Sequence, residues 1–459
     1  MNALTNAWTR FKNRAPETAD QVRNRSFGVL FCVSVVTALG NTGLQSVLPA
    51  IGRQIGIPDP MVAAIFSLSA LLWAFSSPIW AKQSDLRGRK PLIMLGLTGF
   101  MVSMILCGLV VSAGVRHLAA PMVIFVIFLL ARAVFGLFGS AANPATQAYV
   151  AERTSREQRT QSMSTLAGAF GLGTIVGPLV AAMFVLPFVG LAGPLFAFAI
   201  IAAIMLAVVV RWLPESKSKP APLDDDEIRR IPAEALAHAG DGPAKPTPLW
   251  RDPRLMPFLT YGFLVATCQT ALQQTLGFLI IDKVRLSPMD SLNFIKMAMV
   301  TGAIASLLGQ WGLIRMFRMS PRHLLRWGAG LAAVGSLIVA LSPDYWTVVI
   351  GYALSSLGFS FARPGFTAGA SLTVGQNDQA RAAGAIAAVN GVNVVLAPLF
   401  VLLYQRVGHA SPFLVTLVVL LGLLAYAFLN TILRGAGESA TSEDDATVSI
   451  LEKSEEGGL

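Results

Sequence analysis

Apolar residues gather along this chain in long runs broken by short polar intervals, and inside the runs apolar and polar positions do not alternate. A helix needs roughly 20 apolar residues to cross the hydrocarbon of a bilayer. Windows of about that length fall at 27–50, 61–81, 91–113, 121–148, 163–186, 189–212, 255–281, 290–314, 322–342, 345–369, 381–405 and 411–433. Membrane β-strands would be shorter and alternating. The pattern predicts an all-α membrane protein with twelve transmembrane helices.

The polar intervals divide the chain. Residues 1–26 form an N-terminal segment, 27–212 a first six-helix bundle, 213–253 a connector, 254–434 a second bundle and 435–459 an acidic tail. The connector is rich in Pro, Ala and charge, with Asp224, Asp225, Asp226 and Glu227 beside Arg229 and Arg230. The tail has the composition of a disordered segment. The two bundles read as repeats. Leu44, Gln45 and Leu48 return as Leu272, Gln273 and Leu276, and Pro60-Met61 as Pro288-Met289, all shifted by 228. Pro144 returns as Pro364, and Gly177-Pro178 as Ala397-Pro398, shifted by 220. Six helices duplicated in the same orientation place a substrate site near mid-membrane, between the halves.

Composition agrees. The chain is 54% hydrophobic and 13% charged, with a mean hydropathy of +0.62, whereas soluble domains carry about 25% charged residues. Its net charge of +10 invites a nucleic-acid partner, but position argues for another cause. With the N-terminus inside, cytoplasmic segments hold 27 Lys and Arg, the outer loops hold 5, and Arg132, Lys296 and Arg363 lie within helices. That is the positive-inside bias. It puts both termini in the cytoplasm, and no nucleic acid is expected. Residues 1–26 lack a signal-peptide pattern, so the first helix is expected to stay uncleaved. Cys32, Cys107 and Cys268 all sit in apolar runs, which suggests no disulfide framework.

The hinge between the second and third windows, residues 81–91, packs Lys82, Asp85, Arg87, Gly88, Arg89, Lys90 and Pro91 together. It resembles the loop signature of the major facilitator superfamily: Asp85, Gly88, Arg89 and Lys90 match, Ala81 replaces an opening glycine, and Arg87 sits one place late. Arg132-Ala133-Val134-Phe135-Gly136 resembles that superfamily's helix-four motif, with Phe135 in place of glutamine. Gly173, Gly177 and Pro178 are similar to the helix-five motif of its twelve-helix drug/proton antiporters, although Ala181-Ala182 replaces the closing glycines. Leu39-Gly40 and Leu48-Pro49 resemble the end of helix one in the same group.

The resemblance implies roles. Asp85 would latch across the halves to the start of helix eleven, near 378–382, with Arg87, Arg89 and Lys90 around it; a topological role alone is the alternative. Gly173, Gly177 and Pro178 would let a neighbouring backbone approach and bend the helix, packing at the interface between halves. Arg132 would face the cavity and serve substrate or proton handling. Read from the residues alone, it lies mid-membrane, where an ion is a functional candidate by default, with structural pairing as the alternative.

Other candidates come from position. Asn41 and Gln45, with their counterparts Gln269 and Gln273, are each spaced by four on one helical face. They should turn from lipid, to bind substrate or to join helices. Lys296 would line the cavity, snorkel, or pair with Asp290, and Arg363 would line the cavity or anchor at the interface. Trp73, Phe75 and Trp80 would stack on substrate, pack, or face lipid.

No Walker loop, metal-ligand spacing or nucleophile elbow is present. Neither an enzyme nor a cofactor is expected, and an ion gradient should drive the protein. The sequence therefore points to a monomeric multi-pass inner-membrane transporter. Its substrate would be a small organic molecule exported against protons as the coupling ion. Three cations without a mid-membrane acid favour an anionic or zwitterionic substrate. A facilitator, importer or exchanger of organic anions is the alternative; a transport-inactive receptor or scaffold is a third.

Overall fold

The computed structural model describes residues 19–154, 156–186, 189–215, 252–317, 319–374 and 393–436, with 382, 385, 386 and 389 between the last two segments. The side chains of 19, 20, 156–161, 164 and 167 are not among them. Most of the connector and the tail therefore lies outside the described residues.

Helices account for nearly all of it. In order they are α1 Ala19–Ile55, α2 Asp59–Arg87, α3 Arg89–Val115, α4 Pro121–Arg153, α5 Arg156–Met183, α6 Gly193–Trp212, α7 Met256–Val284, α8 Leu292–Met316, α9 Pro321–Ala340, α10 Tyr345–Leu372, α11 Ala397–Arg406 and α12 Ser411–Leu429. Among the described residues ten are long and apolar enough to cross a membrane, and the described apolar parts of the fifth and eleventh are Gly168–Met183 and Asn393–Arg406. Proline opens many of these helices, including α4, α6, α7, α9, α11 and α12, where its missing N–H costs nothing. Asp344 caps α10 by accepting from the Thr347 amide at 2.8 Å. α4 tightens into a 3₁₀ turn at Gly139–Ala141, and α8 widens into a π turn at Leu308–Leu313. Outward faces remain apolar: Ile200, Ile204 and Val418 are over 60% exposed, as surfaces built for lipid would be.

Small residues set the helix contacts. On α9, Gly328 and Gly335 abut Ala362 and Ser355 of α10, and on α10 Gly351 and Gly358 abut Val339 and Ala332 of α9. This lets two backbones close in a medium where apolar side chains alone bring no gain.

Helices α1–α6 pack mainly among themselves, as do α7–α12. The two sets meet where α2 faces α11, where α5 faces α8, and where α1 faces α7. The first two contacts exchange under the repeat, since helix two corresponds to eight and five to eleven. The third contains its own symmetry axis. Pro49 lies within reach of a Cβ placed on Gly277, and these residues are 228 apart, the shift read from the sequence. A residue that touches its own repeat mate must lie on the two-fold axis relating the halves.

Candidate functional site

Along that axis α1 and α7 meet at three successive levels. At the first, Gln45 Nε2 donates to Gln274 Oε1 at 3.2 Å. Pro49 on Gly277 forms the second. The third is an ion pair, in which Arg53 donates through Nη1 and Nη2 to the carboxylate of Asp282.

A small cleft of about 10 Å³, room for little more than one water, opens beside the first two levels, lined by Gln45, Pro49, Phe66, Gln273, Gln274 and Phe278 among others. The repeat mates Gln45 and Gln273 thus face one space. Gln269, one turn before Gln273, is half-buried. Among the described residues neither Gln269 nor Gln273 has a side-chain hydrogen-bond partner, so their amides are available to a ligand. Drug-sized ligands occupy pockets of about 300–1,000 Å³, so this cleft must widen to take one.

Phe66 links the cleft to Arg132. The guanidinium of Arg132 lies 5.4 Å from the Phe66 ring and 4.3 Å from that of Phe135. The side chain is 1% exposed, and its Nη2 donates to Asn41 Oδ1. Nε and Nη1 are buried with no partner, and no carboxylate pairs with it among the described residues. The aromatic faces recover part of the desolvation cost. Two buried donors and one charge remain uncompensated, which is expensive within a membrane protein. Asn41, one turn before Gln45 on α1, therefore joins α1 to α4 inside the first half.

The remaining cations lie elsewhere. Lys296 is half-buried on α8 and donates to Asn293 Oδ1 at 3.0 Å, while Asp290 accepts from Ser287. Arg363 is exposed on α10. Trp73 packs on Phe135 at 5.2 Å, the Trp80 indole donates to the Leu137 carbonyl, and Phe75 is 70% exposed.

The ion pair is part of a larger cluster closing one end of the α1–α7 contact. Arg53 also holds Asp59, at the start of α2, with Nη2 2.9 Å and Nε 3.3 Å from its oxygens. The Tyr404 hydroxyl, from α11, donates to Asp282. The guanidinium lies 5.5 Å from the Phe278 ring, which separates the cluster from the cleft. Four helices and both halves meet here. Arg53 sits in the last turn of α1 and Asp282 in that of α7. One signal could have paired them: their separation of 229 is one more than the repeat shift.

The hinge lies at the opposite end. Gly88 has φ 98°, a left-handed conformation that lets α2 stop and α3 begin at once. Asp85 is 66% exposed and pairs with Arg89, four residues on, at 2.6 Å. Arg89 is buried and turns to Glu152 of α4, with Nε 2.9 Å from Oε1, and to Ser84. Lys90 donates to the Val210 carbonyl in the last turn of α6, and Arg87 is exposed. The hinge thus ties α2, α3, α4 and α6 of one half together. Apart from Ala382, the segment 378–382 lies outside the described residues.

Gly173 and Gly177 receive α1 of their own half, while α5 also faces α8 of the other. A Cβ on Gly177 would stand 2.3 Å from Thr42 Oγ1 and 2.5 Å from the Leu39 carbonyl oxygen, and one on Gly173 2.5 Å from the Val35 carbonyl oxygen. Pro178 follows within α5, which continues to Met183. Because the obstacle includes backbone, Gly177→Ala is expected to cost about 1–3 kcal/mol. The check is thermal unfolding in detergent, with Gly171→Ala as a neutral control, since nothing lies within 4 Å of a Cβ there.

Comparison with known proteins follows the same lines. The tetracycline resistance protein, class B, of Escherichia coli is 26% identical over 204 residues, spanning 42% of this chain and 46% of its own length. Multidrug resistance protein 2 of Bacillus subtilis is 29% identical over 192 residues, spanning 42% and 44%. Among solved structures, the human organic anion transporter MFSD10 (TETRAN) superposes with a TM-score of 0.60 at 20% identity, covering 90% of this chain and all of that one. The matches to the two resistance proteins thus span under half of their length, while the likeness to MFSD10 is one of fold. The profile of the Major Facilitator Superfamily matches residues 30–398, and with two helical halves meeting on a pseudo-two-fold axis around a polar cleft, the chain belongs to that superfamily.

Proposed function

We propose that this transporter exports a small, drug-like or secreted organic molecule by alternating access, taking up protons in exchange. The observation that carries the reading is the α1–α7 contact: a cleft lined by the repeat mates Gln45 and Gln273, sealed at one end by an ion pair between halves. A site on the axis and a breakable lock beside it are the two parts alternating access requires. The names of the tetracycline and multidrug resistance relatives support outward transport of drug-like molecules. The Lys and Arg bias puts the Arg53 end outside and the Arg89 end, with both termini, inside. The lock then holds a form closed to the outside.

Asn41, Gln45, Gln269, Gln273 and Arg132 supply the contacts to substrate in this reading, with Lys296 at the margin. Substrate that accepts the Gln45 amide competes with Gln274 for it, so binding loosens the first of the three levels. The hinge cluster around Asp85, Arg87, Gly88, Arg89 and Lys90, together with Gly173, Gly177 and Pro178, keeps the first half rigid while it rocks. The protein works as a monomer in the inner membrane. In proteoliposomes, a pH gradient acid on the outer side is expected to drive accumulation of substrate on that side. Transport indifferent to the gradient would rule out proton antiport.

A second reading is carried by Arg132, whose uncompensated charge and two unpartnered donors call for an anion. An organic anion exchanged or facilitated through the same cleft would supply it, in line with the human organic anion transporter of the same fold.

A further inference from the structure

The outer lock is short of one positive charge. Among the described residues Arg53 is its sole permanent cation, shared between Asp59 and Asp282, so the three groups together carry one net negative charge. Asp59 is the better served, holding two donors of Arg53 within the same half and 6% exposed. Asp282 is the member that crosses between halves, and it is half-supported by the neutral hydroxyl of Tyr404. Beside it stands His409, from the turn joining α11 to α12. Its Nε2 is 3.7 Å from Asp282 Oδ2, and its ring stacks flat on Tyr404 with centroids 4.7 Å apart and planes 10° from parallel. Stacking fixes where the imidazole sits, and 59% exposure leaves it in exchange with solvent.

We propose that His409 is the proton site of this lock: the imidazolium completes the charge balance at Asp282 and holds the halves together, and its deprotonation weakens the closed arrangement. The groups facing it are Asp282 from α7, Tyr404 from α11 and, through Asp282, Arg53 from α1 with Asp59 from α2. Lys283 is turned away to the Ser342 carbonyl, and Asp290 is bound to Ser287. The sign follows from charge. Gaining a proton beside two carboxylates and one guanidinium favours the form in which all of them are together, the closed one. Outside pH therefore sets how long this end stays shut. The inference rests on the alternating-access reading, in which this end opens at all.

The test uses spin labels on Leu118→Cys and Leu286→Cys, exposed loop positions at this end of each half, with the exposed Cys32 changed to serine. In nanodiscs without substrate, the short-distance population is expected to grow severalfold from about pH 8 to about pH 5.5. His409→Gln should hold the high-pH distribution throughout, and Asp282→Asn should give the long distance at every pH. A wild-type distribution that ignores pH, or a His409→Gln response equal to wild type, overturns the proposal. If Asp282→Asn opens while His409→Gln still responds, the sensor falls and the lock stands. If neither variant nor pH moves the distance, the alternating-access assignment of this end falls with it. Proton coupling is judged by the gradient assay, whose result does not enter these distances.

Discussion

Arg53→Met is expected to shift the transporter strongly toward a form open at the end this residue now closes. The substitution removes the cation that spans α1, α2 and α7 and leaves Asp59 and Asp282 facing each other without it. A charge-assisted hydrogen bond contributes about 1.5–3 kcal/mol when both groups are shielded. Arg53 and Asp282 are each 22% exposed, so the lower part of that range applies, about 2 kcal/mol. That corresponds to roughly a 30-fold change in the ratio of closed to open forms, with carboxylate repulsion adding to it. Gln273→Cys, exposed and lining the cleft below the lock, reports the change. With Cys32 removed, an impermeant thiol reagent from the outer side should label it slowly in the parent and much faster with Arg53→Met. The double variant Arg53→Met, Asp282→Leu tests the cause, because it restores contact between the halves without charge. Its labelling should fall back toward the parent, giving a coupling free energy between the two sites. Equal labelling in all three would mean that the pair does not close this end.

How much of this was legible beforehand depends on what kind of signal each feature leaves in one dimension. The helices were legible because each must supply its own apolar length. The duplication was legible at Gln45 and Gln273 because the residue type was repeated. At Pro49 and Gly277 it was not, since the axis demands complementary shapes there: a ring on one helix and a gap on the other. The same holds for Arg53 and Asp282. A residue that meets its repeat mate's neighbour across an axis gains from opposite charge, and opposite charge erases the likeness by which repeats are found.

The hinge stood out in sequence by its charges, and its burial did not. In the fold Asp85 reaches one turn along its own chain, and the buried member is Arg89, whose partner Glu152 is 63 residues away. A charge flanked by charges in sequence says little about which of them is buried. Arg132 was the opposite case: isolated in an apolar run, its burial could be inferred, as could its place on the same side as Asn41. The apolar runs also hold no mid-membrane acid, and among the described residues no carboxylate pairs with Arg132.

That absence gives Arg132→Met its expected signature, lost transport in a protein at least as stable as the parent. A buried charge without a partner opposes folding, and replacing buried ions by apolar groups of similar size is often neutral or stabilising by about 1–4 kcal/mol. Methionine fills the space between Phe66 and Phe135, and Asn41, half-buried, keeps access to other partners. The unfolding temperature in detergent should therefore hold or rise. Transport of an anionic substrate should fall by about 100-fold, because truncating one side of a buried charge pair costs about 2–5 kcal/mol. Arg132→Lys separates charge from geometry. It keeps the cation but not the planar group lying over two rings, so it should keep part of the rate at a raised KM. A residue kept for folding alone would show the reverse pattern, with a lower unfolding temperature and transport reduced only in proportion to folded protein. Unchanged transport in a stable Arg132→Met protein would remove Arg132 from the site, and with it the case for an anionic substrate.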